Sequence, residues 1–237
     1  MFKINCHSSW EEFLTVKRIE QLKEIAKEVE KSNYTPDSEL VLRFLKLDKN
    51  KIKVVILGQD PYFSENNGKR VANGRAFEPS DLNDWSSKFR QVSLKNIVRL
   101  IHKNYKAIND YQNIYKYSQI LKEIQKGEFK LKQPHQLFDS WEKQGVLLLN
   151  TAFTTELNCP NKHQKLWQAF SQDLIDYIDS EEIVWLLWGK NALSYSNNLK
   201  GRIIKSRHPM MCSSKFEDDF LKSDCFLKTS DLINWLG

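Results

Sequence analysis

Four short apolar runs in this chain all end in polar, turn-forming residues, and that recurrence restricts the available folds more than any single motif does. Val54-Val55-Ile56-Leu57 runs into Gly58-Gln59-Asp60-Pro61-Tyr62. Val146-Leu147-Leu148-Leu149 runs into Asn150-Thr151, the run from Ile183 to Trp188 into Gly189-Lys190-Asn191, and Arg202-Ile203-Ile204-Lys205-Ser206 into Arg207-His208-Pro209. Apolar runs of this length, bounded by Gly, Pro and Asn, read as buried strands. In open α/β sheets ligands bind in the crevice beyond the carboxyl ends of the strands, so parallel strands would bring Asp60, Asn150, Lys190 and His208 to one edge. One strand stopping at a polar residue is ordinary turn chemistry. Four strands delivering a carboxylate, an amide, an ammonium and an imidazole point to a site. Pro61 has a fixed φ, which holds Asp60 rather than leaving it floppy.

Helical stretches separate the runs, and 237 residues suffice for one large core. The chain therefore reads as one α/β domain spanning 1–237. The charge balance, 36 Lys and Arg against 30 Asp and Glu, permits a polyanionic partner such as nucleic acid, although excess Lys also serves solubility. Seven Trp suit a dense core or stacking on bases, and core is the default reading. Four cysteines, at 6, 159, 212 and 225, show no CxxC pair and no ligand spacing with His. Neither zinc nor an iron–sulfur cluster is indicated, and reduced thiols are expected. The start of the chain lacks a secretory apolar stretch, and no run reaches the ~18 residues of a membrane span. A soluble, intracellular (cytoplasmic) monomer is the expectation.

Ser9-Trp10-Glu11-Glu12 has the spacing of a capping box ahead of helical periodicity through Phe13, Ile19, Leu22, Ile25, Ala26 and Val29. Thr35-Pro36 resembles an N-cap followed by Pro at the first helical position, opening a second helix through Leu40, Val41, Phe44 and Leu45. The polar segment between Tyr62 and Phe77 is too long for a tight connection, and such loops tend to be functional. From Ser93, Leu94, Ile97, Leu100 and Ile101 form an apolar helix face opposite Lys95, Arg99, Lys103 and Lys106. Such a stripe is usually a solvated face and, less often, a phosphate contact. Residues 105–135 read as a helical excursion broken at Gly127 and Pro134, Trp167 to Ile178 as the helix before the third strand, and Ser230 to Trp235 as a short terminal helix.

Taken in order, Gly58-Gln59-Asp60-Pro61-Tyr62, Gly74-x-x-Phe77, Leu147-Leu148-Leu149-Asn150-Thr151, Leu186-Leu187-Trp188-Gly189 and His208-Pro209 resemble the uracil-DNA glycosylase superfamily, nearest to its family 1. The resemblance extends over about residues 50–230 and rests on five ordered motifs, each weak by itself. It implies a three-layer α/β/α sandwich around a four-stranded, mainly parallel sheet. The implied activity is removal of uracil from single- or double-stranded DNA by base flipping, with no metal or cofactor. Asp60 would stabilise the sugar cation and position or deprotonate water, and His208 would donate to uracil O2 as the base leaves. Phe77 would stack on the flipped base, Asn150 would answer N3–H and O4, backbone N–H groups at Gln59 and Asp60 would add to O2, and Tyr62 would wall off a thymine methyl.

Each residue also has a plain structural reading: Asp60 as a turn former, Asn150 as a helix cap, Phe77 as core, His208 as a satisfied turn histidine. Those readings predict no shared order of motifs.

Several positions depart from the family pattern. Phe63 stands where His usually follows GQDPY. Phe89-Arg90-Gln91-Val92-Ser93 replaces a proline-rich loop, although the phosphate-binding Ser93 is kept. Gly189-Lys190 replaces a Gly-Ser pair, exchanging a hydroxyl for a charge toward phosphate. After His208, Met210-Met211-Cys212-Ser213 replaces a loop whose Leu enters the duplex. Cys212 aligns with that wedge, and its small size moves the expectation to Met211 or Met210. Weak wedging would favour unpaired substrates. Two alternatives stay open: a superfamily glycosylase for another modified base, and a catalytically silent DNA-binding or processivity subunit.

Overall fold

The computed structural model describes residues 2–237. Among these residues the strands are β1 (Tyr34–Thr35), β2 (Val54–Gly58), β3 (Glu65–Asn66), β4 (Lys69–Arg70), β5 (Val146–Asn150), β6 (Thr155–Glu156), β7 (Val184–Trp188) and β8 (Arg202–Ser206). The helices are α1 (Val16–Val29), α2 (Val92–Tyr105), α3 (Tyr117–Gln125), α4 (Pro134–Gln144), α5 (Gln164–Ile178) and the single turn α6 (Lys190–Leu193).

The four apolar runs form one sheet in the order β5-β2-β7-β8, with every neighbouring pair parallel. Side chains alternate across a strand, so a continuous apolar run feeds two cores at once. Val54, Ile56, Val146, Leu148 and Leu186 pack on one face with residues of α2 and α4, such as Leu94, Ile97 and Phe138. Val55, Leu57, Leu147, Leu149 and Trp185 pack on the other with Leu22 and Ile25 of α1 and Trp167 and Phe170 of α5. The result is the expected three-layer α/β/α sandwich. β8 closes the described sheet, and its exposed Arg202 and Lys205 suit an edge strand. The register sets Gly58 beside Asn150 and Trp188 beside Ser206, which puts all four carboxyl ends on one edge.

Tertiary hydrogen bonds override several local signals. The Ser9 spacing starts only a 3-10 turn, Ser8–Trp10, because the Ser9 hydroxyl accepts Lys49 N at 2.9 Å instead of capping a helix. α1 begins seven residues later, with Thr15 as N-cap accepting Arg18 N at 3.3 Å. Thr35 caps nothing: it pairs with Thr155 in a two-residue ladder, its hydroxyl donates to Tyr62 O at 3.3 Å, and its bond to Pro36 is cis. Only the 3-10 turn Arg43–Lys46 forms in the expected second helix. The long polar loop folds back as the β3–β4 hairpin, with Asn67 and Gly68 both at positive φ. Pro134 starts α4 rather than breaking a helix, as a residue without an N–H is suited to do. Ser230 to Trp235 is a series of turns, since Asn234 N is taken by Gln144 Oε1 at 2.7 Å and Trp235 Nε1 by Thr229 Oγ1 at 2.9 Å. The basic stripe of α2 is drawn into the fold. Lys95 lies over the Phe89 ring, Arg99 donates to Tyr115 O, Lys103 to Ser223 O, and Lys106 pairs with Glu123.

Asp179, at the end of α5, ties the amino ends of β7 and β8 together. Its carboxylate accepts Trp185 Nε1 at 2.8 Å, Lys200 N at 2.6 Å and Gly201 N at 3.2 Å. Asp179→Ala strands three donors and should lower stability by about 2–4 kcal/mol in urea unfolding. The strand ends that carry the site lie at the other edge, so activity at 25 °C should survive. An unchanged unfolding midpoint would refute this.

Candidate active site

The ladder between β2 and β5 continues past both strands. Thr151 N donates to Gly58 O at 3.0 Å and Ala152 N to Gln59 O at 2.9 Å. The Gln59-Asp60 turn is thereby fastened to the segment that follows Asn150. Gly58 sits directly against the Asn150 amide: a Cβ at Gly58 would overlap Asn150 Oδ1 and stand 2.9 Å from Ala76 Cβ. Only glycine allows this approach.

Gln59, Asp60, Tyr62, Phe77, Ser93, Asn150 and His208 line one open cavity of about 480 Å³. Asp60 is partly withdrawn from solvent. Its Oδ2 accepts Asn161 N at 2.5 Å, and Oδ1 is buried. Burial pushes the carboxyl above its ordinary 3.8, against the opposing pull of the Asn161 N–H. The Gln59 amide holds the side chain of that same Asn161. The Tyr62 hydroxyl donates to Phe77 O at 3.0 Å, and burial raises the phenol's pKa. Phe77 has φ of 65°, a left-handed conformation rare for a bulky residue and of the kind stored at sites. Its ring stands 5.5 Å from Trp188 and 6.1 Å from His208.

The His208 ring reports its own tautomer. Nδ1 faces Met210 N at 3.2 Å, and a backbone N–H can only donate, so Nδ1 is the acceptor. Burial lowers the ring's pKa below its ordinary 6.5. The neutral ring carries its proton on Nε2. Gly189, with φ of 88°, packs against this histidine: a Cβ there would lie 2.8 Å from His208 Cβ.

Lys190 is exposed at the start of α6 and lies outside the cavity lining, as do Met211, Cys212 and Ser213. Met210 reaches the rim, and the two methionines are 59% and 56% exposed. Cys212 turns inward: Sγ donates to Pro209 O at 3.2 Å, the side chain packs on the core, and burial pushes the thiol up to about 12. The loop is pinned on both sides, by Asn96 of α2 donating to Pro209 O at 2.6 Å and by Ser213 N donating to Asp219 Oδ2 at 2.5 Å.

Three residues at the site carried no signal in the sequence. Asn161 arrives from the segment before α5 and Gln164 from the first position of that helix, and the buried Arg75 lines the cavity while its guanidinium pairs with Glu78 at 2.9 Å and Asp139 at 2.7 Å. Among the described residues no three His, Cys, Asp or Glu side chains gather to hold a metal ion, and no helix is long and apolar enough to cross a membrane.

Residues 45–230 match the model of the Uracil DNA glycosylase superfamily. The chain belongs to that superfamily. A uracil-DNA glycosylase of Mycoplasmopsis pulmonis is 32% identical over 197 residues, 81% of this chain and 73% of the relative. One from Fusobacterium nucleatum is 30% identical over 227 residues, 90% and 85% of the two chains. The crystal structure of mimivirus uracil-DNA glycosylase is similar with a TM-score of 0.68 and 25% identity, covering 97% of this chain and 85% of that one. UNG from Nitratifractor salsuginis shares the fold with a TM-score of 0.71 at 20% identity, covering 97% and 93%.

In this member of the uracil-DNA glycosylase superfamily, the geometry around His208 makes a spectroscopic prediction. Histidine-labelled protein at pH 7 should give a neutral His208 with the proton on Nε2, titrating below 6.5, its signals assigned by their loss in His208→Gln. A charged ring, or an Nδ1–H tautomer, at that pH would contradict the assignment.

Proposed function

We propose that this chain hydrolyses the N-glycosidic bond of uracil in DNA, releasing uracil and leaving an abasic site, the opening step of base excision repair. The observation that carries the mechanism is the pairing of a half-buried carboxylate with a neutral Nε2–H imidazole on one cavity. Breaking the bond builds positive charge on the deoxyribose and negative charge on the base. Asp60 faces the first and His208 the second. A neutral Nε2–H stabilises the uracil anion at O2 without having to surrender a proton.

The remaining residues suit a flipped pyrimidine. Phe77 offers a flat face, the Asn150 amide offers a donor and an acceptor for O4 and N3–H, and the Gln59-Asp60 backbone lies close to O2. Tyr62, held by its bond to Phe77 O, forms a wall against a C5-methyl. Ser93 on the cavity rim and the exposed Lys190 beside Gly189 are the phosphate contacts, in keeping with the net charge of +6. Ser213 and the Met210-Met211 pair face the duplex. The exposed methionines, rather than the inward Cys212, are the wedge.

A uracil-containing oligonucleotide, treated with alkali after incubation, tests this directly. Asp60→Asn and His208→Leu should each slow excision by about 10²- to 10⁴-fold while binding DNA nearly as before. Wild-type rates in either variant would remove that residue from the mechanism. Replacing Met210 and Met211 together by Ala should slow excision from double strands well beyond that from single strands. Equal losses on the two substrates would show that the pair does not wedge.

A further inference from the structure

We propose that Phe63 and Arg90 form a subsite for the nucleotide next to the extruded uracil in an unpaired DNA strand, its base stacked on the Phe63 ring and its phosphate set toward Arg90. The inference rests on the reading of the cavity given above and adds the class of substrate that its mouth selects.

Phe63 stands apart from the other phenylalanines. Among the described residues it alone of the 13 joins neither core, packs against neither, and meets no aromatic ring or cation. Its backbone is nonetheless held: Phe63 O accepts Asn158 N at 2.7 Å, and the next carbonyl, Ser64 O, accepts Val71 N at 3.1 Å. The result is a ring 42% exposed, on a fixed segment, at the wall of the site cavity. Single exposed apolar residues are ordinary on a surface. Here, however, eight large apolar side chains are exposed among the described residues, and three of them, Phe63, Val92 and Met210, line this one cavity.

The space and the charge fit a second nucleotide. A cavity of about 480 Å³ is of the size that takes drug-sized ligands, so one pyrimidine leaves part of it open. A second cleft of about 640 Å³ adjoins it, and Ser64, Arg90 and Gln91 line both. Lys88, Arg90 and Lys95 face Glu65 and Asp81 there. Lys95 is committed to the Phe89 ring, and Asp81 accepts Asn66 Nδ2 at 2.8 Å. Lys88 and Arg90 are exposed and pair with no carboxylate among the described residues, which leaves two cations against Glu65. Arg90 stands where the two spaces meet.

Stacking decides which strand benefits. In a duplex the bases beside an extruded nucleotide keep their places in the helix, whereas in a single strand they splay out onto aromatic side chains. Every base has a π-face, so the subsite accepts any neighbour. A phenyl ring offers no hydrogen bond and no proton. Its contribution is therefore to binding, with the bond-breaking step left to Asp60 and His208.

The test measures uracil release by wild type, Phe63→Ala, Phe63→Trp and Arg90→Ala. The substrates are a single-stranded uracil oligonucleotide, its duplex, and single strands in which a tetrahydrofuran abasic residue replaces the base 5′ of uracil, the base 3′ of it, or both. Phe63→Ala should raise KM on the ordinary single strand by ~5- to 100-fold with kcat little changed, and far less on the duplex. Phe63→Trp keeps a stacking face and should stay near wild type. With both neighbours abasic, wild type and Phe63→Ala should coincide, and the one-sided strand on which they also coincide names the stacked neighbour. Arg90→Ala should raise KM and reduce the slope of log KM against log salt by ~0.7, the share of one phosphate on a single strand. A wild-type KM in Phe63→Ala, an equal loss with and without neighbouring bases, or a Phe63→Trp as weak as Phe63→Ala would overturn the platform. An unchanged salt slope would strike Arg90 from the subsite. If wild type releases uracil and Phe63→Ala matches it, only the subsite falls; a wild type that releases none would remove both readings.

Discussion

Everything at the site depends on a ladder that outlasts its strands. Parallel pairing between β2 and β5 carries on through Thr151 N to Gly58 O and Ala152 N to Gln59 O, after the apolar residues have ended. A turn bearing a carboxylate beyond a strand end would ordinarily be as mobile as any surface loop. Here its backbone is part of the sheet, and the absence of a side chain at Gly58 lets the Asn150 amide close over the junction. The Asp60 turn and Asn150 therefore share one rigid origin. Gly189 does the same for His208 across the cavity, by allowing backbone contact where any other residue would intrude.

The electrostatic design follows from that rigidity. Burial raises Asp60 and lowers His208, and both shifts move a group toward its neutral form. At the carboxylate the Asn161 N–H and the Gln164 amide oppose that shift. The closest buried cation at the cavity, Arg75, is spent on Glu78, Asp139 and Glu142, so it contributes architecture rather than free charge.

The sequence disclosed the strands, their polar ends and the helices with strong apolar periodicity, because a two-sided core demands continuous apolar runs and an amphipathic helix demands spaced ones. Asp60, Asn150 and His208 were legible because strand ends in such a sheet share an edge. Asn161 and Gln164 were not: they reach the carboxylate from a loop and the helix start that follows it, whose path is fixed by contacts as remote in sequence as His163 with Ser32, at 3.4 Å. The Ser9 and Thr35 signals misled for a related reason. Each hydroxyl had a long-range partner, Lys49 N or Tyr62 O, that local spacing cannot reveal. Cys212, placed by alignment at the duplex, is turned inward by its bond to Pro209 O and its contacts with the core.

One hydrogen bond at His208 has a consequence for reactivity. With the Met210 N–H occupying Nδ1, the neutral ring has no lone pair left to share. Such an imidazole is a poor nucleophile and a poor base. It should resist acylating and alkylating reagents that readily modify an ordinary surface histidine, and become vulnerable to them only when the turn that presents Met210 opens.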